Sequence, residues 1–148
     1  MLSIDLTGLN LDASESVRSK PVGGSVVDRE AVLAANAAFY QAFEEGNIEV
    51  MFDMWEHTTR AACTHPGWPA LHGWTHVAES WRRLIEQSQR PQFIITNERV
   101  EVEGDAAWVT CDENLLAGAG SGTVSALNVF VLTDGMWRLV AHHGSPVH

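Results

Sequence analysis

Residues 65–73 read HPGWPALHG, with two histidines, a tryptophan and two prolines inside nine positions. An imidazole titrates near neutral pH, so His65 could take a proton alpha to a carbonyl or activate a water; it could equally hold the loop through a backbone hydrogen bond. Pro66 and Pro69 restrict the backbone, which suits a stiff rim that presents His65 and Trp68 in fixed positions. His72 and His76 stand one helical turn apart, but Gly73 lies between them. With no HExxH and no CxxC, no metal and no cofactor is expected.

Six tryptophans in 148 residues are a second chemical signal, and four of them (Trp55, Trp68, Trp74 and Trp81) fall within 27 positions around the loop. Flat, wide side chains wall a cavity well. Trp55 and Trp81 also fit the buried stripes of two helices, while Trp68 and Trp74 flank the loop and suit its opening.

The elements that must position these residues follow from the hydrophobic period. From Asp28, a capping residue, Val32, Ala35, Phe39 and Phe43 recur at helical spacing up to Gly46, which suits a left-handed C-terminal position. Asn47 caps a second helix over IEVMFDMWEH, RAACTH reads as a brief strand, HPGWPALHG as a loop, and WTHVAESWRRLIEQS as a third helix. After Pro91 the period becomes two: four extended runs joined by a Gly-Asp turn, a GSG segment at 120–122 and Asp134-Gly135. Helices followed by an antiparallel meander predict an α+β domain over residues 26–148, and the Ser-, Asp- and Gly-rich residues 1–25 read as an N-terminal arm.

Composition narrows the partners. A formal charge of -10 disfavours nucleic acid and anionic lipid, and no apolar run reaches the length of a membrane span. The chain also opens without the pattern of a signal peptide, so a cytoplasmic protein is expected, with Cys63 and Cys111 as buried, reduced thiols.

The order of elements, together with FYQAFEEGNIEVMFDMW, CTHPGWPALHGWTHVAESW, GDAAWVTC and NVFVLTDGMWRLVAHHGSPV, resembles the SnoaL-like branch of the NTF2-like superfamily over about residues 29–148. That resemblance implies a cone-shaped α+β barrel, three helices on a strongly curved, mainly antiparallel sheet, enclosing one apolar pocket and commonly dimeric. It implies activities from isomerase, polyketide cyclase and dehydratase to non-catalytic association, so the pocket residues must decide.

On the isomerase pattern, His65 takes the place of the general base, and Asn128 that of an acidic oxyanion ligand. Asn128 shares a strand face with Phe130 and needs a partner, with Glu113 and His143 as neighbours. Phe39 aligns with the isomerase tyrosine, and Tyr40 falls one position later, about 100° around the helix. Strand alternation through Trp137, Leu139 and Ala141 points His143 into the pocket and His142 outward, beside Val129, Val131 and Val140 on a candidate dimer seam.

The expected catalytic set is therefore His65, Asn128 and His143, and the expected binding set Phe39, Tyr40, Trp55, Trp68, His72, Trp81, Glu113 and Phe130. The expected ligand is a small apolar or carbonyl-containing molecule. A cofactor-free cyclase, isomerase or dehydratase and a non-catalytic binding or dimerising domain both fit this set.

Overall fold

Helix α1, Val26–Glu45, starts one turn before the expected cap: Ser25 Oγ accepts from the Asp28 backbone N–H at 3.1 Å, leaving Asp28 in the first turn, where its charge favours the helix dipole. It stops at Gly46, whose φ of +66° is the left-handed conformation that glycine adopts without cost. These are features of a computed structural model that describes residues 25–87, 89–116 and 122–148. Most of the expected arm and most of the GSG segment lie outside the described residues.

Asn47 caps α2, Ile48–Asp53, as expected, but the helix is shorter than its sequence pattern. The Leu139 N–H donates to the Met54 carbonyl at 2.7 Å and the Glu56 N–H to the Leu139 carbonyl at 2.8 Å, so the chain around Trp55 pairs beside the sheet instead of continuing the helix. Strand β1, Ala62–Thr64, then leads into the histidine loop, which contains a two-residue strand of its own, β2, Leu71–His72. Helix α3, Trp74–Glu86, buries Val77, Ser80, Trp81 and Ile85 along one stripe.

Four long strands follow: β3 (Gln92–Glu103), β4 (Ala106–Leu116), β5 (Gly122–Thr133) and β6 (Met136–Pro146). The sheet order is β2-β1-β6-β5-β4-β3, antiparallel except where β1 runs parallel to β6. The α+β expectation holds; the sheet is curved and mixed, and it does not close into a barrel. The tight turn from β5 to β6 uses Asp134 (φ +52°) and Gly135 (φ +77°), the pair of positive angles that a two-residue hairpin requires.

The helices cover one face of the sheet, where Phe39, Met51, Trp55, Trp81, Phe130 and Leu139 form the largest part of a buried core. Cys63 and Cys111 are buried and free, as expected. No helix among the described residues is long and apolar enough to cross a membrane.

Two bulges shape the inner face. In β3 the register against β4 shifts between Thr96 and Arg99, at Asn97 with φ +54°, and Glu98 reaches toward α1. In β6, Leu139 pairs with Phe130 but Ala141 pairs with Val129, so Val140 is an extra residue. A side chain's face alternates with period two, and one inserted residue exchanges the faces of everything after it.

Candidate functional site

Between the helices and the concave face of the sheet lies a cavity of about 190 Å³, with Pro66 and Pro91 in its wall. Helix α1 contributes Phe39, Tyr40 and Phe43; the loop after β1 contributes His65 and Trp68; α3 contributes Trp81 and Leu84. The sheet adds Phe93, Glu113, Leu115, Val124 and His142. The wall is thus mostly aromatic, with a few converging polar groups.

Behind that wall the polar side chains form a directed chain of hydrogen bonds. The amide of Asn128 donates to Asn36 Oδ1 at 2.8 Å and to Tyr40 Oη at 3.1 Å, and its carbonyl oxygen accepts from His142 Nδ1 at 2.5 Å. Tyr40 Oη in turn donates to Glu113 Oε2 at 2.7 Å, and Asn36 donates to Glu98 at 2.8 Å. Asn36 and Tyr40 sit four residues apart on α1, which puts both on the face that meets the sheet.

This network fixes protons. An amide oxygen can only accept, so the neutral His142 ring carries its hydrogen on Nδ1 and keeps a lone pair on Nε2. Beside His65, the buried Ser80 Oγ donates to the Val77 carbonyl at 2.7 Å, so the 2.9 Å contact with His65 needs the Nε2–H of the imidazole as donor. His65 therefore keeps its Nδ1 lone pair, which lies 3.9 Å from the Cys63 thiol.

Burial sets the charges. It lowers His65 to a pKa of about 4 and His142 to about 3, so both rings are neutral at physiological pH. The Glu113 carboxyl is pushed up to about 7 by burial, partly offset by the Tyr40 hydrogen bond. Burial raises the thiol of Cys111 to about 11 and also drives the Cys63 thiol and the Tyr40 hydroxyl well above their ordinary values, removing all three as nucleophiles near neutrality.

Of the expected residues, His65, Phe39, Tyr40, Trp68, Trp81 and Glu113 meet at this cavity. His143 does not: the extra Val140 turns it outward, where it is exposed, and brings His142 inward in its place. His142 accordingly leaves the expected dimer seam. Asn128 is buried behind the wall with both amide hydrogens engaged, so it holds Tyr40 and His142 in place and has no donor left for a ligand oxygen. Tyr40 is buried, with its hydroxyl at the centre of the network.

Trp55 and Phe130 are core residues outside the cavity wall, and His72 is exposed on β2. The sequence reasoning missed Asn36 and Ser80; both are polar positions on otherwise apolar helical stripes, a signal that asks for a buried partner.

Comparison with known proteins places this geometry. Residues 32–148 match the SnoaL-like domain family. Among solved structures, a proposed dehydratase of the NTF2-like family from Streptomyces avermitilis is 39% identical, with a TM-score of 0.76 over 82% of this chain and 97% of that one. A proposed calcium/calmodulin-dependent protein kinase type II association domain from Thiobacillus denitrificans is 30% identical, with a TM-score of 0.69 over 87% of this chain and all of that one (100%).

The F-box protein SKIP8 of Arabidopsis thaliana is 26% identical over 115 residues, which is 78% of this chain and 49% of that protein, so the chain spans about half the length of this relative. With four-fifths of its length inside the match and the helix-covered sheet and cavity both present, the chain belongs to the SnoaL-like domain family of NTF2-like proteins.

Proposed function

We propose that the protein is a cofactor-free isomerase, cyclase or dehydratase for a small, largely apolar carbonyl compound, with Glu113 as the proton carrier and His65 Nδ1 as a second acceptor. The observation that carries this reading is a buried carboxyl with a pKa of about 7, lining the same cavity as a neutral imidazole. A group that titrates at the working pH is poised both to take a proton and to return it. Ionised Glu113 would remove a proton alpha to the carbonyl; protonated, it would return that proton to another carbon or to a departing hydroxyl. His65, with its pKa of about 4, is the weaker base.

Exchange of alpha protons of small ketones for deuterium, followed by NMR, tests the proposal. The wild type should exceed buffer catalysis with a rate that rises through pH 7, and Glu113→Gln should lose about 100-fold or more. Exchange at the buffer rate, or exchange unchanged in Glu113→Gln, would sink it.

A second reading is a non-catalytic ligand-binding or association domain. It is favoured by the mutual saturation of Asn36, Asn128 and His142, which leaves no side-chain amide to stabilise an oxyanion. Either reading accommodates a homodimer through the outer sheet face. There Trp108, Leu127, Val129 and Val131 lie on paired rows of β4 and β5, with Trp108 39% and Leu127 40% exposed.

A further inference from the structure

The protons of the inner wall are already engaged within the protein. Tyr40 donates to Glu113, His142 Nδ1 to Asn128, and His65 Nε2 to Ser80. With Glu113 ionised, what these groups leave open are acceptors: Glu113 Oε1, His142 Nε2 and, beyond its long 3.9 Å contact with the Cys63 thiol, His65 Nδ1. Among the described residues the Trp81 indole N–H has no partner but is sealed from the cavity, and the Trp68 indole is the one further side-chain donor on the wall.

Aromatic rings surround these acceptors, with Phe39 and Phe43 packed edge-on to Trp81 at 5.4 and 5.0 Å and Phe93 edge-on to Tyr40 at 5.5 Å. Among the described residues no lysine or arginine lines the cavity, and burial without a described counter-charge is what raises the Glu113 pKa. With Glu113 ionised, a carboxylate brought to this wall meets lone pairs and a like charge. An ammonium group meets a carboxylate, imidazole acceptors and π faces, all of which attract it. The net charge of -10 acts in the same direction at longer range.

We propose that the cavity is a binding site for a small aromatic ammonium ion, with the cationic nitrogen held by Glu113 and by the open nitrogens of His142 and His65, and the ring held among Phe39, Trp81 and Phe93. A cavity of about 190 Å³ suits one ring with a short aminoalkyl tail, the bulk of about six water molecules at ~30 Å³ each. This goes beyond carbonyl turnover and does not rest on it, since an amine would occupy the site whether or not proton exchange occurs there.

The charge dependence has a single source between pH 5.5 and 8. Glu113 is faced by Tyr40 from α1, by Cys111 on its own strand, and by His142 and His65 on the same cavity wall, while α3 and β3 present apolar Trp81, Leu84 and Phe93 and β3 also brings the Glu98 carboxyl onto Asn36, behind that wall. Both histidines are neutral throughout that range and the thiol and phenol stay protonated, leaving Glu113, with its pKa of about 7, as the group that changes charge.

Isothermal titration calorimetry with 2-phenylethylamine and 2-phenylethanol, matched in shape and differing in charge, tests the proposal on the full chain. At pH 8 the amine should bind at least tenfold more tightly than the alcohol, and at pH 5.5, where the amine is still protonated, the ratio should shrink. In Glu113→Gln the ratio should fall close to one, with a thermal melt at least as stable as the wild type reporting that the fold is intact. The proposal is overturned if the alcohol matches the amine at pH 8, if the preference survives Glu113→Gln, or if neither probe binds at millimolar concentration. Absence of ketone proton exchange would leave these affinities unchanged, so the two readings fail separately.

Discussion

The two faces of the sheet invert the usual distribution of polarity. The inner face, packed under the helices, carries Glu113, Asn128 and His142 at 5% exposure or less, while the outer face shows Trp108 and Leu127 at 39% and 40%. An apolar core gains nothing from three buried polar side chains, and each would cost about 1–3 kcal/mol if left unpaired. Their hydrogen bonds make the arrangement tolerable, and in doing so they fix which atoms face the cavity. The outer face has no such internal partner, which suits a second protein surface instead. On the functions proposed above, polarity inside would serve ligand chemistry and apolarity outside would serve assembly.

The largest break in this contrast should come from the hub of the inner network. Asn128→Ala leaves His142 Nδ1 and Asn36 Oδ1 without partners in a dry environment, and loss of about 2–4 kcal/mol is expected in urea unfolding. A loss below about 1 kcal/mol would mean that the network is wetter or more adaptable than its geometry implies.

A smaller effect, of opposite sign, is expected from the inner carboxyl. The folded pKa of Glu113, about 7, lies above its ordinary 4.5, so between those values the native state holds a proton that the unfolded chain has released. Its contribution to stability therefore falls as pH rises from 4.5 to 7 and is least favourable above 7. Glu113→Gln should be more stable than wild type by about 1–3 kcal/mol at pH 8, with the gap closing toward pH 4.5 in parallel thermal melts. His65 and His142 run the other way: with folded values of about 4 and 3 against an ordinary 6.5, they make the wild type lose stability as pH falls below 6.5.

On the outer face, Trp108→Glu should leave the protomer fold nearly unchanged yet lower the assembly state in sedimentation velocity, because it places a charge in the centre of the apolar rows. An unchanged sedimentation coefficient would move the seam elsewhere or remove it.

Much of this architecture was legible in the sequence, because its signals are local. The periods of α1 and α3, the cap at Asn47 and the Asp134-Gly135 turn each report on a few neighbouring residues. Five of the six cavity residues common to expectation and structure come from those elements or from the proline loop after β1; Glu113 adds an inward position on β4. What escaped depends on pairing between distant segments. The end of α2 is set by Leu139 on β6, and the strand inside the histidine loop exists only because β1 is there to pair with it. The identity of the inward histidine turns on one unpaired valine, which alternation along a single strand does not reveal.

That last point yields the smallest predicted effect and the sharpest test of the contrast between faces. His142 and His143 are adjacent and chemically identical, and Val140 alone decides which one is buried. His142→Ala removes a buried ring packed 5.1 Å from Phe39 and 5.8 Å from Trp81 and frees Asn128 Oδ1, combining a cavity with an unpaired acceptor. His143→Ala, on the exposed side, should change stability by no more than about 0.5 kcal/mol and leave cavity binding unaltered. If the two substitutions exchanged their effects, the bulge would be misplaced by one residue. The inner wall would then present His143, as unbroken alternation demands, and Asn128 would hold that ring instead.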